Sequence, residues 1–260
     1  MKPTDSMKPN VPLVRAVERA IRLLRAFSPG KSRLTLSELA RLTELDKGTA
    51  RRLLQTLILN GLVEHDSEIQ LYTLAAAVLE LGAAVETGRE FRNVAAPHLA
   101  RVAMQTGCTT FLWVHSDGMA LCVERVRSDV FSIEVAWTNV GTRATMNCGA
   151  GPRTLLAHIA PEERKEALAG PFTRRTPLSQ TDPDILAAEA ERIRAQGWEL
   201  AIDDFVLGLA GLGVPVFDGV GRLLGTISIT TLTPHLAGPE RTRCLDILLV
   251  AAREIGGAMR

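Results

Sequence analysis

Residues 35–61 read TLSELARLTELDKGTARRLLQTLILNG, and this stretch decides the fold of the N-terminal part of the chain. Thr35, followed three residues later by Glu38, is typical of a capping box, in which each side chain bonds the other residue's backbone amide. Asp46 is a second good N-cap, because its carboxylate accepts from the free amides of a following helix. Gly61 suits the left-handed conformation that ends a helix. The stretch predicts two consecutive helices joined by a short turn.

The second of these helices is predicted over Lys47–Asn60, with one apolar stripe that must face a core. Its opposite face is polar and basic, and the helix contains no acidic side chain. A recognition helix reads base edges with its first turns, where arginine pairs with guanine and glutamine with adenine. An ordinary solvated helix face has the same appearance, so the helix alone does not decide between these readings. The residues predicted to contact DNA, with two from the start of the preceding helix, are Thr35, Ser37, Lys47, Gly48, Thr49, Arg51, Arg52 and Gln55.

The segments around residues 35–61 favour the DNA-binding reading. Apolar residues recur at helical spacing from Val14 to Phe27, which predicts a first helix. Leu62–His65 and Ile69–Tyr72 flank a polar turn and predict a short hairpin. Three helices followed by a hairpin form a winged helix-turn-helix, which we assign to residues 13–73, after a tail at 1–12.

The composition and charge of the whole chain indicate its domain number and its general class. Its 260 residues are enough for two domains, and 46% apolar with 23% charged residues is typical of a globular protein. The net charge is +1, so a nucleic-acid partner is not evident from the total. Residues 1–72 nevertheless carry 12 basic and 8 acidic side chains, a weak local sign of a polyanionic partner that chance scatter explains equally well.

The remainder predicts a linker helix at 74–88 and an α+β domain at 89–260. A long helix over Arg89–Thr106 is followed by alternating strands and helices, which favours an antiparallel sheet flanked by helices. The predicted strands are Thr109–His115, Ala120–Arg127, one near Ile133–Trp137, Val214–Phe217 and Leu224–Thr230, and the predicted helices are Arg153–Ile159, Pro161–Ala169, Pro183–Gln196 and one from about Arg241. Apolar residues at Leu74, Val78, Leu81 and Val85 form a stripe that suits packing on a partner's helix or on the chain's own domain.

The ordered set of local motifs resembles the IclR-type bacterial transcription regulators across nearly the whole chain. The motifs are LSELA (36–40), RLLQTL (52–57), GLVE (61–64), LELG (79–82), PHL (97–99), TDP (181–183), DD (203–204) and PVFD (215–218). The resemblance implies an N-terminal winged helix-turn-helix and a C-terminal GAF-like sensor domain that binds a small effector, often an organic or aromatic acid. No catalytic nucleophile–base pair is evident in the sequence, so neither an enzymatic activity nor a cofactor is predicted.

The resemblance also implies an effector site around Asn147–Gly151, where backbone amides at a helix start suit a carboxylate. The same small residues also suit an ordinary turn, and that reading stays open for each position taken singly. Pro152-Arg153 stands where the family commonly has Gly-Lys, and Gly48 replaces a usual serine of the recognition helix. The predicted effector contacts are Met146, Cys148, Gly149, Ala150, Gly151, Asp203, Gly211, Ser228 and Thr230.

Other classes of protein have little support in the sequence. The four cysteines have neither zinc-ligand nor redox spacing, and no two histidines lie four residues apart, so no metal site is predicted. No nucleophile motif or phosphate-binding loop occurs, and the longest apolar stretch without a charge, Phe205–Phe217, is too short to cross a bilayer.

The sequence therefore predicts a cytoplasmic, ligand-responsive regulator. Its expected partners are double-stranded operator DNA, a small carboxylate effector and further copies of itself, as a homodimer or a dimer of dimers. The alternatives are an enzyme acting on a small acid and a DNA-binding protein whose C-terminal domain only dimerises.

Overall fold

The computed structural model describes residues 13–28, 31–84, 89–128, 138–236 and 238–259. The predicted tail at 1–12, the end of the predicted linker at 85–88 and a strand predicted near 133–137 lie outside these residues. The chain divides into two compact units, Met1–Val85 and Glu86–Arg260. None of the helices in the described ranges is long and apolar enough to cross a membrane.

The first unit is a winged helix-turn-helix, which confirms the predicted fold. Its elements are α1 (Arg15–Ala26), α2 (Leu36–Thr43), α3 (Lys47–Leu59), β1 (Val63–Asp66), β2 (Leu71–Leu74) and α4 (Ala76–Ala83). β1 and β2 form an antiparallel hairpin with Val63 opposite Leu74. The three helices pack around Leu23, Leu39 and Leu54, each fully buried, and the hairpin closes this core with Val63.

The helix ends follow from the residues that begin and end them. The Thr35 hydroxyl accepts from the Glu38 amide at 3.2 Å, and the Glu38 carboxylate accepts from the Thr35 amide at 2.8 Å. Asp46 Oδ1 accepts from the Thr49 amide at 2.8 Å, which starts α3 where predicted. Gly61 has a φ of +69°, which an L side chain rarely adopts and which turns the chain toward β1.

The second unit contains one six-stranded antiparallel sheet with helices on both faces. Its elements are α5 (Arg89–Thr106), β3 (Thr109–Ser116), β4 (Met119–Val126), β5 (Arg143–Ala144), α6 (Ala150–His158), α7 (Pro161–Leu168), α8 (Pro183–Gln196), β6 (Glu199–Ile202), β7 (Leu209–Phe217), β8 (Leu223–Leu232), a 3₁₀ turn (Thr233–Leu236) and α9 (Pro239–Ala258). The strand order is β5-β4-β3-β8-β7-β6. α5 and α9 pack on one face of the sheet, and α6 packs on the other.

Several predicted bounds were wrong. Leu74 belongs to β2, and α4 begins only at Ala76, so the predicted apolar stripe does not lie on one helix. α6 begins at Ala150, three residues before the prediction. β5 and β6 were missed because they are short, and β7 begins five residues before the predicted Val214.

The error in β7 has a specific physical cause. Gly211 and Gly213 made its first half resemble a loop, yet that half lies in the sheet between β6 and β8. A Cβ on Gly213 would lie 2.8 Å from the backbone carbonyl of Ala150. The glycine is therefore needed because α6 approaches the strand closely at this point.

Candidate functional site

The first candidate site is the exposed face of α3. Ala50, Leu54 and Leu57 are buried in the core, and this orientation turns the polar face outward. The predicted contacts on this helix that are exposed are Lys47, Gly48, Arg51, Arg52 and Gln55, with Thr49 half-buried. Neither Arg51 nor Arg52 forms an ion pair with another of the residues that the structure describes. Their guanidinium groups are therefore available to phosphates or to base edges.

The start of α2 differs from the recognition face. The Thr35 hydroxyl donates to Glu38 Oε2 at 2.8 Å as well as accepting from the Glu38 amide. These bonds hold the pKa of the Glu38 carboxyl below its ordinary value. The Glu38 carboxylate therefore occupies the N-terminal end of α2. Ser37 is exposed in the first turn. Thr35 thus begins the helix.

The wing carries acidic groups at its tip. Asp66 ends β1 and Glu68 lies in the following turn; both are exposed, and Asp66 Oδ1 accepts from the amides of Glu68 and Ile69. Carboxylates at this tip repel phosphates, so the tip is a poor contact to the DNA backbone. The basic face of α3 is consequently the better candidate in this unit.

The second candidate site is a cavity in the other unit, between α6 and the sheet. Its volume is about 50 Å³. The cavity is therefore narrow and suits a small molecule. Its lining includes six of the nine predicted effector contacts, Gly149, Ala150, Gly151, Gly211, Ser228 and Thr230, together with Phe111, Trp113, Thr138, Asp204 and Phe205.

Because side chains alternate between the two faces of a strand, several residues that line the cavity lie on the same face of the sheet. Phe111 and Trp113 lie two residues apart on β3, so both side chains point to the same face. Phe111 stands opposite Ser228 in the register with β8, and the Trp113 indole N–H donates to the Ser228 hydroxyl at 3.1 Å. Sequence reasoning missed both aromatic residues, although their spacing of two in a predicted strand placed them on one face.

Asp204, rather than the predicted Asp203, lines the cavity. Asp203 has a φ of +56°, and its carboxylate accepts from the Gly208 amide at 2.8 Å and the Thr233 hydroxyl at 2.9 Å. It therefore fixes the turn after β6. Because the chain turns there, the next side chain points inward, and Asp204 Oδ2 accepts from the Gly149 amide at 2.9 Å.

Burial sets the electrostatics of this carboxylate. Asp204 is 5% exposed, and burial raises the pKa of its carboxyl although the Gly149 amide and Arg153 act in the opposite direction. Arg153 lies 3.6 Å from Asp204 and forms closer ion pairs with Glu189 at 2.8 Å and Glu199 at 3.0 Å. Arg153 thus connects α6 to α8 and β6.

Met146 and Cys148, also predicted as effector contacts, are not among the lining residues. Met146 is 2% exposed and packs in the apolar cluster beneath α6. Cys148 is 1% exposed, its thiol donates to the Thr173 carbonyl at 3.7 Å, and burial raises its pKa. Both residues support the loop that leads into α6.

Two arginines stack on aromatic rings of the cavity wall. The Arg175 guanidinium carbon lies 4.0 Å from the centre of the Phe205 ring, and that of Arg125 lies 5.9 Å from the centre of the Phe111 ring. The wall therefore combines aromatic faces with nearby positive charge, beside the buried Asp204 carboxyl.

These two sites define a class of protein, a transcriptional regulator with a winged helix-turn-helix and a separate ligand-binding domain. The sequence model of the "IclR helix-turn-helix domain" matches residues 16–67, and that of the "Bacterial transcriptional regulator IclR C-terminal" domain matches residues 83–256. The chain belongs to the IclR family, as its motifs indicated. It is a transcriptional regulator with a DNA-binding domain and an effector-binding domain.

Individual relatives match over almost the full length. The HTH-type transcriptional regulator XynR of Escherichia coli is 26% identical over 96% of this chain and 98% of its own. The glycerol operon regulatory protein of Streptomyces coelicolor is 30% identical over 95% of each chain. The crystal structure of an IclR homologue from Microbacterium hydrocarbonoxydans, complexed with 4-hydroxybenzoate, has a TM-score of 0.78 and 25% identity, covering 93% of this chain and 97% of that one.

Proposed function

We propose that this regulator binds a two-fold operator through α3 and that a small aromatic or other organic acid in the cavity alters its affinity for DNA. The cavity carries this proposal, because aromatic rings, a helix start and nearby arginines meet there on one face of the sheet. The DNA partner implies that the protein works in the bacterial cytoplasm.

The exposed face of α3 supports the DNA contact. Arg51 and Arg52 lie in its first two turns with Gln55 one turn further, and all three are exposed. Such side chains form bidentate hydrogen bonds to guanine or adenine in the major groove. Lys47 at the helix start suits a phosphate, because it supplies a point charge there.

A gel-shift titration tests this placement with the Arg51→Ala/Arg52→Ala double variant. A lost base contact weakens operator binding by about 1–3 kcal/mol, and each lost phosphate contact lowers the salt dependence by about one unit of slope. Arg253→Ala is the matched control, since Arg253 is also exposed on a helix but lies in the other unit. Equal operator affinity of the double variant and the control would refute the role of these arginines.

The start of α6 supports a carboxylate in the cavity. Ala150 and Gly151 are its first residues, whose amides lack acceptors within the helix, and Pro152 has no amide hydrogen. The Gly149 amide already donates to Asp204, so an effector carboxylate must bind beside another carboxylate. This arrangement favours an effector that also carries a hydroxyl, because the hydroxyl can donate to Asp204. The homologue crystallised with 4-hydroxybenzoate holds a molecule of that chemical class.

Calorimetry with 4-hydroxybenzoate, followed by other small acids, tests the cavity. Phe205→Ala removes a ring from its wall and should weaken binding, whereas Phe217→Ala removes a ring outside it and should not. Effector and operator must change each other's affinity by the same factor. If Phe205→Ala binds an identified effector as tightly as Phe217→Ala, the effector site lies elsewhere.

The exposed apolar residues of the first unit support assembly of several copies. Leu13 and Val14 directly precede α1, Val17 and Ile21 lie on it, and each of the four is at least 43% exposed. A second copy could cover this stripe and present a second α3 to the other half of the operator. Light scattering should give at least twice the 28.1 kDa mass of one chain, and Val17→Asp should lower that mass. A single-chain mass for the unaltered protein at micromolar concentration would refute the dimer.

The enzyme alternative has no support in the cavity. No histidine lines it in the described part of the chain, and the Ser228 hydroxyl is bonded to the Trp113 indole rather than to a base. A purely dimerising second domain would give no heat with any acid in the same calorimetric series.

A further inference from the structure

Three metal-binding side chains meet on the face of the sheet opposite the cavity. Cys108 lies between α5 and β3, His235 lies in the 3₁₀ turn after β8, and Cys244 lies in α9. One ligand atom from each of the three lies within 4.8 Å of the other two. Cys108 and Cys244 are 136 positions apart in the sequence, so only the fold brings them together.

This separation is close to what a metal ion requires. A tetrahedral zinc ion has bonds of about 2.3 Å to sulfur and about 2.0–2.1 Å to nitrogen, so its ligand atoms lie roughly 3.5–3.8 Å apart. Inward movements of about 1 Å at most therefore close the site around a zinc ion. Rotation of the side chains is sufficient for such movements.

The charges favour a divalent ion over a monovalent one. Cys108 is 1% exposed, Cys244 is 0% exposed, and the surrounding cluster is apolar, including Leu236 and Leu248. A buried net charge is costly in such surroundings. Two thiolates neutralise a divalent cation and leave the site without net charge, whereas a monovalent ion would leave one negative charge.

A fourth polar group lies at the same place. Thr231, on β8, is fully buried, and its hydroxyl lies near the Cys108 thiol but makes no hydrogen bond of normal geometry within the described ranges. A buried polar atom without a partner is unusual in a native core. Three protein ligands leave one position of a tetrahedral ion open, and a water bound there would supply a hydrogen-bond partner for the Thr231 hydroxyl. His235 is only half-buried, which leaves a route for the ion.

We propose that Cys108, His235 and Cys244 bind one Zn²⁺ ion per chain, separately from the effector cavity. The ion would link the α5–β3 connection, the 3₁₀ turn after β8 and α9, on the face of the sheet that packs against α5 and α9. Thr230, which lines the cavity, directly precedes Thr231 in β8, so this strand joins the two sites.

Cobalt spectroscopy on the full-length chain tests the proposal without any substitution. The protein is reduced, shown to have four free thiols, freed of metal with a chelator and titrated with Co²⁺. We expect one equivalent to produce thiolate-to-cobalt charge transfer and strong tetrahedral visible absorption, and Zn²⁺ to abolish both. If the reduced chain produces neither band, the proposal is wrong, and a Cys108–Cys244 disulfide found before reduction would then be the better interpretation.

Variants locate the ion by competition with a chromophoric chelator. Cys244→Ser and His235→Ala should each weaken Zn²⁺ binding at least about tenfold, because each removes a ligand. Cys122→Ser is the matched control, since Cys122 is equally buried but packs on the other face of the sheet. Unchanged binding in Cys244→Ser, or equal loss in Cys122→Ser, would overturn the assignment.

Discussion

Among the glycines that line the effector cavity, Gly151 leaves the least room for a side chain, so Gly151→Ala should lower both the stability of the second unit and its affinity for the effector. A Cβ there would lie 2.5 Å from Trp113 Cδ1, 2.6 Å from its Nε1 and 2.8 Å from Ser228 Oγ. Normal contacts begin near 3.4 Å, so the indole or α6 must move by about 1 Å. Trp113 is 4% exposed and bonded to Ser228, so it cannot move away freely.

The size of the effect follows from three contributions. Overpacking costs about 1–3 kcal/mol, and loss of the bond between Trp113 and Ser228 costs about 0.5–1.5 kcal/mol. Replacing glycine by alanine in a helix stabilises the folded state by at most about 1 kcal/mol, which offsets part of this cost. The net destabilisation is therefore about 0.5–4.5 kcal/mol, which lowers the Tm of a unit of this size by about 1–18 °C. The added methyl group also narrows the cavity, so affinity for the effector should fall.

Thermal unfolding followed by tryptophan fluorescence measures this change in Tm. Gly257→Ala is the control, because a Cβ there meets nothing within 4 Å. The double variant Gly151→Ala/Ser228→Ala should recover part of the lost stability, since it removes one of the contacts that are too close. If Gly151→Ala unfolds at the same temperature as the control, the packing of α6 on the sheet is not as described.

Three further perturbations test other parts of the structure. A Cβ on Gly256 would overlap the Phe217 carbonyl oxygen, so Gly256→Ala should lower the urea midpoint while Gly257→Ala raises it; equal midpoints would contradict this packing. Burial raises the pKa of Asp204 in the folded chain above the ordinary value of 3.8 that it has in the unfolded chain. Between these two pKa values the folded chain binds more protons, so the free energy of unfolding falls as the pH rises through that range. Asp204→Asn should remove that part of the slope in urea unfolding curves, and an unchanged slope would count against a buried Asp204. Thr35→Ala removes the hydroxyl of the capping box and should destabilise the first unit by about 0.5–2 kcal/mol; undiminished hydrogen-exchange protection of α2 would exclude this role.

Local signals in the sequence were sufficient for the first unit. The capping residues Thr35 and Asp46, together with Gly61, act on their immediate neighbours, so their effect can be predicted without knowing the rest of the fold. The apolar stripe of α3 fixes which side of the helix faces the core. The exposure of Arg51 and Arg52 follows directly from that orientation.

The cavity could be predicted only in part. The family motifs indicated the loop at Asn147–Gly151 and the polar residues of β8, which line it or lie beside it. Asp204 was missed because the positive φ of Asp203 breaks the alternation expected of a strand. Such a turn is stabilised by bonds to Gly208 and Thr233, and the distant Thr233 gives no signal in the local pattern.

The sequence by itself determined the winged helix and the polarity of its helix faces, because these depend on contacts between residues a few positions apart, and it indicated the class of protein through the resemblance of its ordered motifs to a family. Only the tertiary structure decided which side chains share the cavity and that Cys108, His235 and Cys244 meet behind it. Both groupings join residues from strands and helices far apart in the chain. Their distances are set by the sheet order and by the close approach of α6 at Gly213, and spacing along the sequence does not encode either one.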